Sequence, residues 1–175
     1  MFWKRNLLFF IFLQAFLPMP ELKSQTLHSG TELFKITRNT DLNEIIYYLN
    51  TDATGQLDQQ QPIEAYWLRY EPDGEQTGRS LNALEKKYAY GLRFLEVTRT
   101  SATFQFVSYK RDLFLKRTSS EDVVLVEIEG KMLRLQRVHL QLGRGTFRIP
   151  EISVIELHAV DENGRLVVEV IQNPK

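Results

Sequence analysis

The sequence predicts an all-β domain, mainly antiparallel, closed as a single compact barrel-like or sandwich fold with one short helix. Three observations carry this. Segments rich in Val, Ile, Tyr, Phe and Trp recur about every ten residues from Leu33 onward, the spacing of paired short strands. Turn-forming clusters separate them, and only one stretch has helical periodicity.

The elements follow in chain order. Strands are expected over residues 33–37, 44–49, 64–70, 92–98, 103–110, 123–128, 132–142, 153–160 and 166–171. Between them, the clusters ending in Gly55, Gly74 and Gly164 place glycine where a turn needs positive φ. Glu129-Gly130 joins two runs with the two residues of a tight hairpin. The polar stretch 51–62 reads as a loop. Asn50, Asp52 and Thr54 mimic the start of a calcium loop, but Gln61 stands where a bidentate glutamate belongs, so a turn is the better reading. The helix is expected within 80–90, with Ser80 as N-cap and Gly91 just past its end. Its stripe of Leu81, Leu84 and Tyr88 is narrow, which suits a helix lying on the sheet or plugging one end.

Several strands are apolar on both faces. Ile45 and Tyr47 back onto Ile46 and Tyr48, and Val123 and Leu125 onto Val124 and Val126. An open sheet wetted on one side alternates more cleanly, so closure into a barrel or sandwich is expected. The strand 132–142 changes phase: Leu133 and Leu135 share a face with Arg137 and His139, and Arg134 and Gln136 with Val138 and Leu140. A bulge near Gln136 would keep the apolar residues inward throughout. The alternative turns Arg137 and His139 into a cavity.

Residues 1–24 have the layout of a cleaved export signal: Lys4 and Arg5, an apolar run over 7–17, then Pro18, Pro20 and Ser24. The apolar run is shorter than the roughly 20 residues a membrane span needs. The expected mature protein is one β-rich domain over 25–175, with its core in about 33–171, periplasmic or secreted. Cysteine is absent, so stability must come from packing rather than disulfides. Formal net charge is zero. The basic clusters at Lys86-Lys87, Lys110-Arg111 and Arg134–Arg137 read as solvated faces, with no nucleic-acid footprint. No transmembrane segment is expected after signal removal.

The ordered set Leu33-Phe-Lys-Ile-Thr-Arg-Asn39, Pro62-Ile-Glu-Ala-Tyr-Trp-Leu-Arg-Tyr70 with Asp73-Gly74, Tyr88-Ala-Tyr-Gly-Leu92, Phe106-Val-Ser-Tyr-Lys110 and Leu135-Gln-Arg-Val-His139 resembles an uncharacterised exported bacterial family, domain of unknown function 4833. The resemblance spans about 33–170. It implies export and one compact domain, and it supplies no activity, ligand or catalytic residue.

Candidate sites therefore rest on the residues. Glu156 and His158 lie two apart on one strand face, with Ile152 and Val154. Beside strand 132–142 they would meet His139 as two imidazoles and a carboxylate, a metal-ligand type, with Arg137 as an anion partner. Glu127 and Glu129 are a weaker acid/base pair, expected to be exposed beside the hairpin. No Gly-x-Ser-x-Gly elbow or cysteine offers a nucleophile. Tyrosines such as Tyr66 and Tyr109 suit a pocket with apolar walls and polar anchors. The expected function is a non-enzymatic exported binding or interaction domain without a cofactor. Its ligand would be small and apolar or glycan-like, or its partner an envelope protein. The alternative is a metal-dependent or acid/base enzyme using His139, Glu156 and His158.

Overall fold

The computed structural model describes residues 30–143, 151–172 and 174. The expected signal over 1–24 lies outside them. The described chain is an all-β domain curled into a half-barrel. Its elements are β1 (Glu32–Arg38), β2 (Glu44–Leu49), β3 (Ile63–Tyr70), β4 (Gln76–Ser80), α1 (Ala83–Tyr88), β5 (Leu92–Val97), β6 (Ser101–Phe106), β7 (Tyr109–Arg117), β8 (Asp122–Ile128), β9 (Lys131–Gly143), β10 (Glu151–Val160) and β11 (Leu166–Gln172). Among the described residues no helix is long and apolar enough to cross a membrane.

The long strand β9 organises the sheet. β10 runs antiparallel along one of its edges and carries β11 outside it. The opposite edge is shared. Lys131–Arg134 pair with β8, antiparallel, and Arg137–Leu140 pair with β1, parallel. Two leaves therefore leave the same edge, β1-β2-β3-β4 and β8-β7-β6-β5. The expected bulge sits at the changeover: His158 pairs with Arg137 and Ala159 with Leu135, leaving Gln136 as the extra residue. It bends β9 where the neighbour changes, and it flips the phase so that Leu133, Leu135, Val138 and Leu140 are all buried.

The two leaves close on each other through aromatic rings. Phe34 stacks on Tyr47 at 4.4 Å and meets the edge of Phe106 at 6.0 Å, and Tyr47 meets Phe106 at 5.8 Å. Both geometries are favoured by the ring quadrupole. Two-sided burial is present too: Ile46 and Val123 are buried yet lie outside the central core cluster. The hairpin at Glu129-Gly130 has φ of 51° and 75°, positive at both central residues as the right-handed strand twist requires. Asp52 accepts from the Thr54 and Gln56 backbone amides and the Thr54 hydroxyl, so the calcium-like stretch is a turn.

Three expectations need correction. The run 103–110 is two strands with a turn at Val107-Ser108, and β7 continues to Arg117. β4 is an unexpected edge strand, exposed throughout, that forms by pairing with β3. The helix starts at Ala83 with Asn82, not Ser80, as its N-cap: the Asn82 side chain accepts from the Glu85 amide and the Glu85 carboxylate accepts from the Asn82 amide. Leu81 thus lies before the helix, buried in the core, while Leu84 and Tyr88 are exposed. The helix does not lay an apolar stripe on the sheet.

Candidate functional site

A cavity of about 350 Å³ opens where β1, β9 and β10 pass beneath the end of α1. Its floor is aliphatic. Val138, Leu140 and Leu142 come from β9, and Ile152, Ile155 and Leu157 from β10. Residues 152 and 155 share a face only because Ser153 is a second bulge: Ile152 pairs with Leu142 and Val154 with Gln141. The Ser153 hydroxyl donates to the Gln141 carbonyl at 2.9 Å and pins it. Ile152 therefore faces the cavity, a correction to its expected place beside Glu156 and His158.

The remaining walls are Ile36 and Arg38 from β1, the segment Tyr88-Ala89-Tyr90, and Phe106, Ser108 and Tyr109 around the β6–β7 turn. The segment over the cavity is held from several sides. The Tyr47 hydroxyl donates to the Tyr90 carbonyl at 2.7 Å, and burial pushes that phenol well above its usual pKa. Ser108 donates to the Ala89 carbonyl at 2.7 Å, and the Tyr90 ring meets Trp67 edge-on at 5.6 Å.

Arg38 is the charged residue of this lining, and sequence reasoning missed it. It follows Phe34 and Ile36 at the inward positions of β1, and a cation in that phase was the available signal. Its side chain is only 8% exposed. Nη1 donates to the Tyr90 hydroxyl at 3.1 Å and Nη2 to Asp41 at 2.9 Å, with the guanidinium 4.6 Å above the Trp67 ring.

The expected site residues divide. Tyr109 lines the cavity. Tyr66 is on the face of β3 opposite Trp67, its ring 6.0 Å from Tyr48. Arg137, His139, Glu156 and His158 do converge, since His139 pairs with Glu156 and Arg137 with His158 across the β9–β10 ladder. They lie on the sheet face away from the cavity, however, because Val138 and Leu140 between them point into it. The reading that turned Arg137 and His139 into a cavity is thus corrected.

There they form a bonded chain. Arg137 Nη2 is 3.1 Å from His158 Nδ1, and His158 Nε2 is 3.1 Å from Glu156 Oε2. A guanidinium only donates, so Nδ1 accepts and the ring proton sits on Nε2, aimed at the carboxylate. Gln141 donates to the other Glu156 oxygen at 2.8 Å, and Thr37 bonds His139 Nδ1 at 2.9 Å. Both nitrogens of His158 are engaged, which leaves it no lone pair for a metal. Among the described residues no group of three His, Asp or Glu is placed to hold one. Glu127 and Glu129 are exposed, as expected beside the hairpin.

The hydrogen bonds from His158 and then Gln141 hold the Glu156 carboxyl below its usual 4.5. A carboxyl depressed in the folded state contributes stability above its unfolded pKa and loses it as pH falls through the folded one. Glu85, depressed mainly by its bond from Arg79, acts in the same direction. Glu156→Gln is expected to leave a shallower loss of stability below about pH 4.5 than the wild type shows. Urea denaturation at pH 3.5, 4.5 and 7 measures it; parallel acid limbs in the two proteins would refute the assignment.

The family described as Domain of unknown function (DUF4833) matches residues 34–169. No curated protein and no solved structure matches the chain.

Proposed function

The chain belongs to the family of domain of unknown function 4833, and for it we propose a non-enzymatic, exported binding role, periplasmic or secreted, in which the cavity beneath Tyr90 takes a small apolar ligand. The cavity itself carries this reading. At about 350 Å³ it lies in the range of small-molecule sites, and apolar walls with a few convergent polar groups are their usual composition. A glycan fits less well. Each of its hydroxyls needs a partner once desolvated, while the cavity walls are mostly aliphatic and aromatic and the Ser108 hydroxyl is already spent on Ala89.

The test is titration of the purified chain with N-phenyl-1-naphthylamine, whose fluorescence rises in apolar surroundings. Wild type is expected to enhance it saturably. Leu142→Trp, which puts an indole into the cavity from a half-buried position, is expected to weaken binding at least tenfold. Equal titrations in the two proteins would place the probe elsewhere and sink the proposal.

A second reading, docking of an envelope protein, is favoured by one observation. On the edge strand β11, Leu166, Val168 and Val170 share a face and are 59%, 41% and 55% exposed, an apolar stripe of the kind that marks interaction surfaces.

A further inference from the structure

We propose that the ligand of this cavity is a medium-chain alkyl carboxylate, its tail over Leu140 and Ile155 and its head group at Arg38. The inference rests on the preceding reading of the cavity as a binding site and adds the chemical class.

Size sets the tail. An apolar cavity near 150 Å³ accepts benzene, so about 350 Å³ accommodates roughly fourteen non-hydrogen atoms by the same proportion. Decanoate has about that many.

Charge sets the head. The Arg38 guanidinium is nine-tenths buried at the cavity wall, and its Nε–H lies out of reach of water with no acceptor. The Trp67 indole, stacked beneath it, also has a buried N–H without one. Neither N–H can meet a ligand in the cavity, since a site closed to water is closed to a carboxylate oxygen; what borders the cavity is the charge itself, and a cation this far desolvated needs an anion beside it. The local anion does not fill that role. Asp41 meets only Nη2, also accepts from the Asn43 amide, and is 37% exposed. Nη1 and Nη2 each spend one N–H, on Tyr90 and Asp41, and a guanidinium donates its remaining N–H groups to a carboxylate in strong charge-assisted bonds.

Isothermal titration of the full chain with decanoate and decanol at pH 8, below their aggregation limits, separates tail from head. Decanoate is expected to bind at least tenfold more tightly than decanol. Arg38→Met should bring that ratio to about one. Asp41→Asn, which removes a competing anion while keeping Arg38, should raise the ratio two- to fivefold, and it serves should Arg38→Met fail to fold. Equal affinities in the wild type, both lost in Leu142→Trp, would overturn the head-group assignment and leave the cavity standing. Absence of binding by either probe, or binding indifferent to Leu142→Trp, would overturn the cavity reading itself.

Discussion

Phe34→Ala is expected to destabilise the protein by about 3–5 kcal/mol, the range for emptying a buried aromatic position. Phe34 is 1% exposed and touches rings from both leaves, Tyr47 on one and Phe104 and Phe106 on the other. Those leaves share no edge with each other beyond their common strand β9, and these ring contacts help close the half-barrel, beside cross-leaf bonds such as that from the Leu57 amide to the Arg99 carbonyl at 3.3 Å. Its ring neighbours are carried on paired strands, so the gap closes only in part. At roughly 2–4 °C per kcal/mol for a chain of this size, the melting temperature should fall by about 6–20 °C. Leu84→Ala, at a side chain 69% exposed on α1, should stay within about 0.5 kcal/mol. Urea denaturation of both variants decides. Similar small losses for the two would mean that the leaves are held together some other way.

Gly91→Ala is expected to cost about 2–3 kcal/mol, as overpacking does, and to weaken probe binding about tenfold. A Cβ at this position would lie 1.8 Å from the Lys86 carbonyl oxygen and 2.7 Å from its carbon. Both are backbone atoms of α1, so the helix and the strand start must separate. The Tyr88-Ala89-Tyr90 segment lies between them and walls the cavity. Its Glu85 carbonyl bond to the Tyr90 amide, at 2.9 Å, and the Gly91 carbonyl bond from Val107, also 2.9 Å, would both be disturbed. Gly164→Ala is a useful comparison, since its positive φ makes it strained too but far from the cavity. It should lower stability and leave the probe's affinity within twofold. A Gly91→Ala protein with unchanged stability and affinity would show that this wall does not shape the site.

The sequence exposed much of the fold because its strands and turns obey local rules. Runs rich in Val, Ile, Tyr, Phe and Trp marked β1, β2, β3, β8 and β10, and the Gly-containing turns separated them. The phase change around Gln136 was legible as a bulge because one extra residue is the smallest change that keeps Leu135 and Val138 on the same side. Where local rules were silent the reading failed. Val107-Ser108 turns the chain without glycine, proline or asparagine, so β6 and β7 merged. Gln76–Ser80 has no apolar periodicity, and only pairing with β3 makes it a strand. Ser80 outranked Asn82 as a cap only while the reciprocal bond to Glu85 went unnoticed.

The site was less legible for a related reason. Convergence of His139, Glu156 and His158 needed only two strands to be neighbours, and they are. The cavity needs five segments, 36–38, 88–90, 106–109, 138–142 and 152–157, brought together by closure of the leaves. It also needs a bulge at Ser153, in a stretch where Ile152, Val154 and Ile155 leave the phase ambiguous. Arg38 stood at an inward position all along, but the expected strand stopped one residue short of it.

The central claim, that the cavity beneath Tyr90 holds an apolar ligand, is tested most directly by native mass spectrometry of the protein purified gently from its own cells, wild type beside Leu142→Trp. The account predicts a small added mass on the wild type that is lost on denaturation and missing from the variant. Bare protein in both, or the same adduct in both, would contradict it.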